Sequence, residues 1–432
     1  MADAPQRELI KPTAAQRTEL IRRHGLFRAS RDGGRRLVLA NADLSHVDLA
    51  GQDLSHADFT GSTFYGANLS GCRFDSATVF ACDFRQANLA NASLIRADLR
   101  GCHFAGAILI GANLFEADLR EGIHVSRDRH GEYHTLAPED RPTAISGADF
   151  SGANLTNASL SGAIAVKTDF SDAIMRGCKL IRAHVRGANF SGCDLEGADF
   201  AQADTREACF RGAVIAGARF DFADMAGADM HDVLSDAPHG HMLSELDVGL
   251  DELLHRHAAF IASGGRQGAP LDFSGFDLRS AGSLAGTCLT MATARGAVFY
   301  GIDLSGAAMQ AAKCADADFR NCRFDGGDLR GIAMPGALLN NASLREVNLR
   351  PLRLEGQRLI PADLTRVRLR HADLTGAKLR GALLAGADLS FADLTGAELT
   401  EADLAGARLF SCKVSRAQVA TARNAATAVG LG

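Results

Sequence analysis

His231, His239, His241, His255 and His257 crowd into one short segment together with Asp232 and Asp236. Imidazole nitrogens and carboxylate oxygens are ligands that zinc accepts, and "HGH" and "HRH" each set two imidazoles two residues apart, a weak metal-ligand pattern. His257 also has a counterpart. Arg23-His24-x-x-Phe27-x-Ala29-Ser30 matches Arg256-His257-x-x-Phe260-x-Ala262-Ser263. A structural cap explains a histidine that recurs in two such segments better than a metal site does, so no metal ligand is assigned. G-x-S-x-G, a phosphate-cradling glycine-rich loop and a Cys–His nucleophile pair are all missing from the sequence. No catalytic or cofactor-binding residue is therefore expected, and no cofactor.

The other chemistry-bearing side chains are carboxylates in a fixed rhythm. Asp58, Asp98 and Asp118 each precede an apolar residue, and that apolar residue belongs to a series with a step of five: Leu39 to Leu119, then Phe150 to Met230, then Phe273 and Leu278, and after a slip of one residue Leu284 to Val419. A period of five fits neither the 3.6 of a helix nor the 2 of a strand. It fits a coil that turns a corner every five residues. Two places before each large apolar residue stands a small one, which sets a width limit on the interior, and glycine is frequent two places after it (Gly376, Gly381, Gly386), where a tight turn needs its freedom. Phe64, Phe84 and Phe104 are 20 apart, as are Phe150, Phe170, Phe190 and Phe210. Ring stacking at that interval requires four repeats per coil. With coils about 4.8 Å apart, the three arrays are expected to run roughly 20, 20 and 35 Å.

The units "ANLANASLIRADLRG" and "GADLSFADLTGAEL" resemble the pentapeptide-repeat family, whose five-residue unit reads A-(D/N)-L-x-x. The resemblance implies an all-β solenoid, a right-handed quadrilateral parallel β-helix with four repeats per coil, here with short helical caps and an insert. It also implies a non-enzymatic protein that binds other proteins. Some members protect or inhibit DNA gyrase by mimicking DNA with acidic faces, which makes a topoisomerase the alternative partner. Asp58, Asp98 and Asp118 are the candidate contacts for that reading, on a side that reads Asp58, Thr78, Asp98, Asp118. Asp149, Asp169, Asn189 and Asp229 form a second acidic row. The third array differs: Arg368, Asp388, Arg408 and Arg353, Asp373, Asp393, Lys413 alternate in sign, while Arg330, Arg350, Arg370 make a basic stripe.

The interruptions divide the chain. Residues 1–38 read as an N-terminal helical cap, with Thr13 as N-cap and Gly33–Gly34 as its end. Residues 39–120 are the first array, 121–146 an insert, 147–230 the second array, 231–270 a second helical cap, 271–420 the third array and 421–432 a tail. The second cap opens with a capping box of Ser244 and Asp247 and closes at Gly264–Gly265. Within the insert, "HVSRDRHGEYHTL" reads as a hairpin turning near His130-Gly131. His130, Glu132, Tyr133 and His134 are its candidate partner-binding residues; a passive insertion is the alternative. The tail leaves the repeat after Val419 and suits a short cap on the last coil; the resemblance implies a C-terminal dimer contact as the alternative to a monomer.

Net charge is −5 over 432 residues, too mild to imply nucleic acid or a membrane. Residues 1–38 alone carry nine basic and four acidic groups. Seven of the ten cysteines occupy the small inward position, so they read as buried reduced thiols. With no signal-like or bilayer-spanning stretch, the expected location is cytoplasmic.

Overall fold

In the computed structural model, residues 9–121, 125–127, 133–135 and 142–430 are described. The chain divides into two compact units, Met1–Asp236 and Ala237–Gly432.

The first unit begins with helix α1 (Ala14–Arg28), opened by a capping box in which Thr13 and Gln16 bond reciprocally. The helix stops at Ala29 rather than at the glycines, because Ser30 takes positive φ (51) and its N–H turns back to Phe27 O (3.0 Å), with Arg31 N–H on Leu26 O (2.9 Å). Gly34 serves a different need: a Cβ there would lie 2.4 Å from Phe27 N, so only glycine lets the returning strand pass the helix.

Beyond the cap, each residue preceding a core residue bridges in parallel to the residue 20 later, as in Asp43↔Thr63↔Asp83. Four such columns run side by side, which gives four-sided coils of twenty residues. Each corner is closed by a bond such as Ala57 N–H to Leu54 O (3.1 Å). Where the chain stays in the wall, the residue two past the core residue takes positive φ, whether it is Gly61 (φ 70) or the far costlier Gln86 (φ 60). The interior holds only the large residue and its small partner. Phe64, Phe84 and Phe104 stack at 5.0 and 4.9 Å, and Phe170, Phe190 and Phe210 at 5.1 and 5.0 Å. At several positions where Ser, Thr or Cys replaces the small alanine, its hydrogen points to the carbonyl of the coil before. Ser62 donates to Leu39 O at 2.6 Å, Cys72 to Leu49 O at 2.8 Å and Thr168 to Ile145 O at 2.9 Å.

The insert does not break this stack. His103 bridges Ala144 and Asp118 bridges Ser159, so the first two arrays are one continuous stack with the excursion leaving from its wall. In that excursion β1 (Val125–Arg127) pairs antiparallel with β2 (Tyr133–Thr135), Ser126 opposite His134.

The second unit opens with β3 (His241–Met242), a 3-10 turn at Leu243–Glu245 and helix α2 (Leu250–Ala262). The Ser244–Asp247 capping box does not form. Met242 is held extended against Asp277 in β4 (Phe276–Asp277), Ser244 is consumed by the 3-10 turn, and Gly249 caps the helix without a side chain. Gly264 and Gly265, at positive φ, do close it, with Gly265 N–H bonded to Phe260 O (2.8 Å).

The third array contains a feature that its rhythm conceals. Ala333 bridges Asp363 and Asn348 bridges Lys378, an interval of 30 instead of 20. The ten surplus residues form an antiparallel hairpin, β5 (Leu352–Arg353) with β6 (Leu359–Ile360), joined through a 3-10 turn at Glu355–Gln357. Ten is two repeats, so the period of five continues through a segment that is not coil. Leu354 and Leu359, assigned to the interior by the period, are 40 % and 59 % exposed. The row Arg353, Asp373, Asp393, Lys413 is likewise corrected: Ser343, not Arg353, stacks on Asp373. By the same shift Arg380, not Arg370, follows Arg350. The end of the array is corrected too: Val419 is buried not as a coil residue but from helix α3 (Arg416–Ala420), capped by Ser415 and Gln418. The tail then rejoins the wall, Arg423 bridging Asp403 and Val429 bridging Arg408.

Candidate functional site

Outward positions flank every core residue, one before and one after, on the same side of the wall. An Asp before and an Arg after therefore meet across the intervening leucine or phenylalanine. Asp58, Asp98 and Asp118 do stand on one side, bridged through Thr78, but two of them are paired this way. Arg100 Nη2 lies 2.8 Å from Asp98 Oδ2, and Arg120 Nη2 lies 2.7 Å from Asp118 Oδ2. Arg100 also reaches Asp118 at 3.7 Å and stands 5.5 Å over the Phe80 ring. Burial pushes the Asp118 carboxyl up, but the Arg120 guanidinium and backbone hydrogen bonds outweigh it and hold the pKa below the usual value. Asp58 bonds only to its own turn, accepting from Thr60 N–H (3.0 Å) and Thr60 Oγ1 (2.7 Å). A side that reads as an acidic row is thus mostly a row of neutral pairs.

The same spacing pairs Asp83 with Arg85, Asp204 with Arg206, Asp318 with Arg320 and Asp328 with Arg330, at 2.6–2.7 Å. The signal was present in the sequence as Asp-x-Arg. In the second acidic row, Asn189 Nδ2 donates to Asp169 at 3.0 Å, and Asp229 takes Arg211 at 2.8 Å and His231 at 2.5 Å. Opposite charges also meet between coils, Lys413 with Asp393 at 3.0 Å.

Of the hairpin candidates, Tyr133 and His134 fall in β2, opposite Arg127 and Ser126. His130 and Glu132 lie outside the described residues.

The histidine cluster of the sequence is dispersed. His231 belongs to the first unit and faces Asp229; His241 faces Glu245 at 3.2 Å, and His255 is exposed on α2. Among the described residues, no group of three or more His, Cys, Asp or Glu side chains is disposed to hold a metal ion. His257 is buried, and so is its counterpart His24. Each ring pins its helix to the first coil. Leu37 N–H donates to His24 Nδ1 (3.1 Å) and His24 Nε2–H donates to Ser55 O (3.0 Å). Leu271 N–H donates to His257 Nδ1 (3.1 Å), whose Nε2–H donates to Thr290 O (2.9 Å). Phe27 and Phe260 lie against the two rings, with centroids 5.9 and 6.4 Å apart. All ten cysteines are free, and burial pushes the Cys72 thiol up to about 11. No helix among the described residues is long and apolar enough to cross a membrane.

Comparison with known proteins bears on the fold. No curated protein matches the sequence. Solved structures similar to the chain include full-length QnrB1, a plasmid-mediated fluoroquinolone resistance protein (22 % identity, 46 % of this chain and 92 % of that one, TM-score 0.31). Others are the pentapeptide repeat protein Rfr23 from the cyanobacterium Cyanothece 51142 (23 %, 30 % and 91 %, 0.24) and HetL, from the cyanobacterium Nostoc sp. strain PCC 7120 and involved in heterocyst differentiation regulation (19 %, 92 % and 96 %, 0.18). A family model described as pentapeptide repeats (8 copies) matches residues 39–78, 82–120, 145–232, 287–326 and 352–422, more than half of the chain. With the five-residue turns and four bridging columns that underlie it, this match means that the chain belongs to the pentapeptide repeat family.

Proposed function

We propose that this protein is a non-enzymatic scaffold that binds other proteins through what its rigid coils hold out to solvent. The observation that carries the reading is the continuity of the stack beneath both hairpins. His103↔Ala144 and Ala333↔Asp363 close the wall across each excursion, so a variable loop stands on support that does not depend on it. The family's right-handed winding is the sense we infer for both stacks. The location we infer is cytoplasmic, a reducing compartment that suits ten free thiols.

The alternative implied by the family, a DNA mimic acting on gyrase or a related topoisomerase, draws little support from charge. Asp98 and Asp118 are neutralised by their own arginines. Affinity capture by the intact chain, beside a chain lacking residues 123–143, tests both readings. A protein retained by the first and lost with the second supports a scaffold working through the first hairpin; if neither retains any protein specifically, the scaffold reading fails. A captured topoisomerase that is inhibited or protected in a supercoiling assay, with the effect abolished by Asp58→Ala, would revive the mimic.

A further inference from the structure

The hairpin of β5 and β6 is an amphipathic finger set in a field of unbalanced positive charge. Its two faces follow from strand alternation and register. Leu352 pairs with Ile360, and both lie on the wall: a Cβ at Gly331 would stand 2.7 Å from Leu352 Cβ and 3.2 Å from Ile360 O. The other face carries Arg353 opposite Leu359, both exposed, with Leu359 at 59 %. At the tip, Leu354 N–H donates to Arg358 O (2.9 Å), which places Arg358 beside the exposed Leu354. Pro351 seats the base of the finger against Gly381, 3.3 Å from a Cβ built there.

The charge around the finger does not cancel. Arg330 and Arg350 are taken by Asp328 and Glu398. Among the described residues, Arg353, Arg358, Lys378 and Arg380 have no carboxylate within ion-pair distance, and Glu355 is the finger's one acid. Arg353 and Arg358 stand on the finger beside its two exposed leucines, and Lys378 and Arg380 flank Leu379 next to Gly381, where the base of the finger is seated, so this part of a chain of net charge −5 is positive.

We propose that this finger is a docking site for an acidic protein segment that carries apolar side chains, its carboxylates on Arg353, Arg358, Lys378 and Arg380 and its apolar groups on Leu354 and Leu359. Charge complementarity selects this occupant. A second copy of the chain is a poorer fit, since two leucines offer far less area than a stable dimer buries. Nucleic acid is disfavoured by leucines at the centre of the patch, where a phosphate backbone has no use for them.

This surface belongs to the second unit and the first hairpin to the first, and the inference rests on the scaffold reading only in supposing a protein partner. The test uses the full chain and three labelled probes in fluorescence anisotropy: a peptide of interleaved Glu and Leu, a peptide of Glu and Ser with the same charge, and a DNA duplex. Vesicles containing phosphatidylserine form a fourth arm, read by co-sedimentation. The Glu/Leu peptide is expected to bind, to weaken roughly tenfold or more with Arg353→Glu combined with Arg358→Glu, and to weaken severalfold with Leu359→Ser. Arg295→Glu, an exposed cation at another corner, should leave it unchanged. All four positions are exposed, and unaltered melting shows that the variants are folded. Equal binding of the Glu/Ser peptide, preference for DNA or vesicles, or no binding at all would overturn the proposal. Capture of a partner through residues 123–143 in that last case would leave the scaffold reading standing.

Discussion

At the scale of single residues, the two buried histidines carry the sharpest consequence. Each accepts a backbone N–H on Nδ1 and donates from Nε2, so the ring must be neutral: a proton on Nδ1 would face the donating amide. Burial holds both pKa values below 6.5, only partly opposed by the bonds to Ser55 O and Thr290 O. The charged neighbours of His24 are Asp53, which opposes the drop, and Arg28 and His56, which favour it. The sign follows from linkage. Below about pH 6.5 the unfolded chain takes up protons that the folded chain refuses, so stability declines as pH falls from that value toward the folded pKa and is flat above it. Urea unfolding at pH 7.5 and 5.5 should show this decline, and His24→Phe should remove its first-unit part. That substitution also strands Leu37 N–H and Ser55 O, at a cost of about 1–3 kcal/mol for each group left without a partner. A first unit that keeps its parental stability in His24→Phe would refute the clasp. This pair was legible in the sequence because the surrounding residues recur; which groups the rings bind was not, since Ser55 and Thr290 lie a coil away.

At the scale of elements, the coil was legible and the second hairpin was not, for one reason. A five-residue rhythm reports where the interior is only while every repeat stays in the wall, and an excursion of ten residues leaves the rhythm intact. The remaining clue was proline. Pro351 and Pro361 stand at the corner position that elsewhere has positive φ, as at Gly331 (φ 65), Gly381 (φ 66) and His371 (φ 58), and proline's ring fixes φ near −65°. A corner is impossible there, so the chain must leave the wall. Removing residues 351–360 should therefore restore an ordinary coil only if Pro361 is also replaced by Gly. The double change is expected to fold with a melting temperature within a few degrees of the parent, roughly the change of a surface alteration. The same deletion with Pro361 retained should be destabilised by about 3 kcal/mol or more. Circular dichroism melts of the two compare them directly; equal stability would mean that the corner tolerates a negative φ. The acidic rows misled for a related reason, since reading one outward column at a time separates Asp98 from Arg100, its partner across Leu99.

At the scale of the whole molecule, the chain repeats one construction: a capping helix pinned by a buried histidine, then a stack that closes its own interior. The two interiors share no residue. Leu37 to Ala213 form one buried cluster and Leu271 to Val419 the other. Because each coil contacts only its neighbours, stability in such a stack is local, a sum of coil terms and nearest-neighbour terms that a remote cap does not enter. Damage to one clasp should then be felt by one unit alone. Limited proteolysis of the full chain at rising urea, read by mass spectrometry, is the suitable measurement. In His24→Phe, cleavage within residues 14–236 should begin at lower urea while residues 250–420 stay protected to the parental concentration; in His257→Phe the order should reverse. Simultaneous loss of protection in both variants would mean that the two units unfold as one and that the second cap is an interruption within a single cooperative body. Sequential loss would establish two independently stable supports. The first hairpin and the basic finger would then stand on separate scaffolds, and a change at one would leave binding at the other intact.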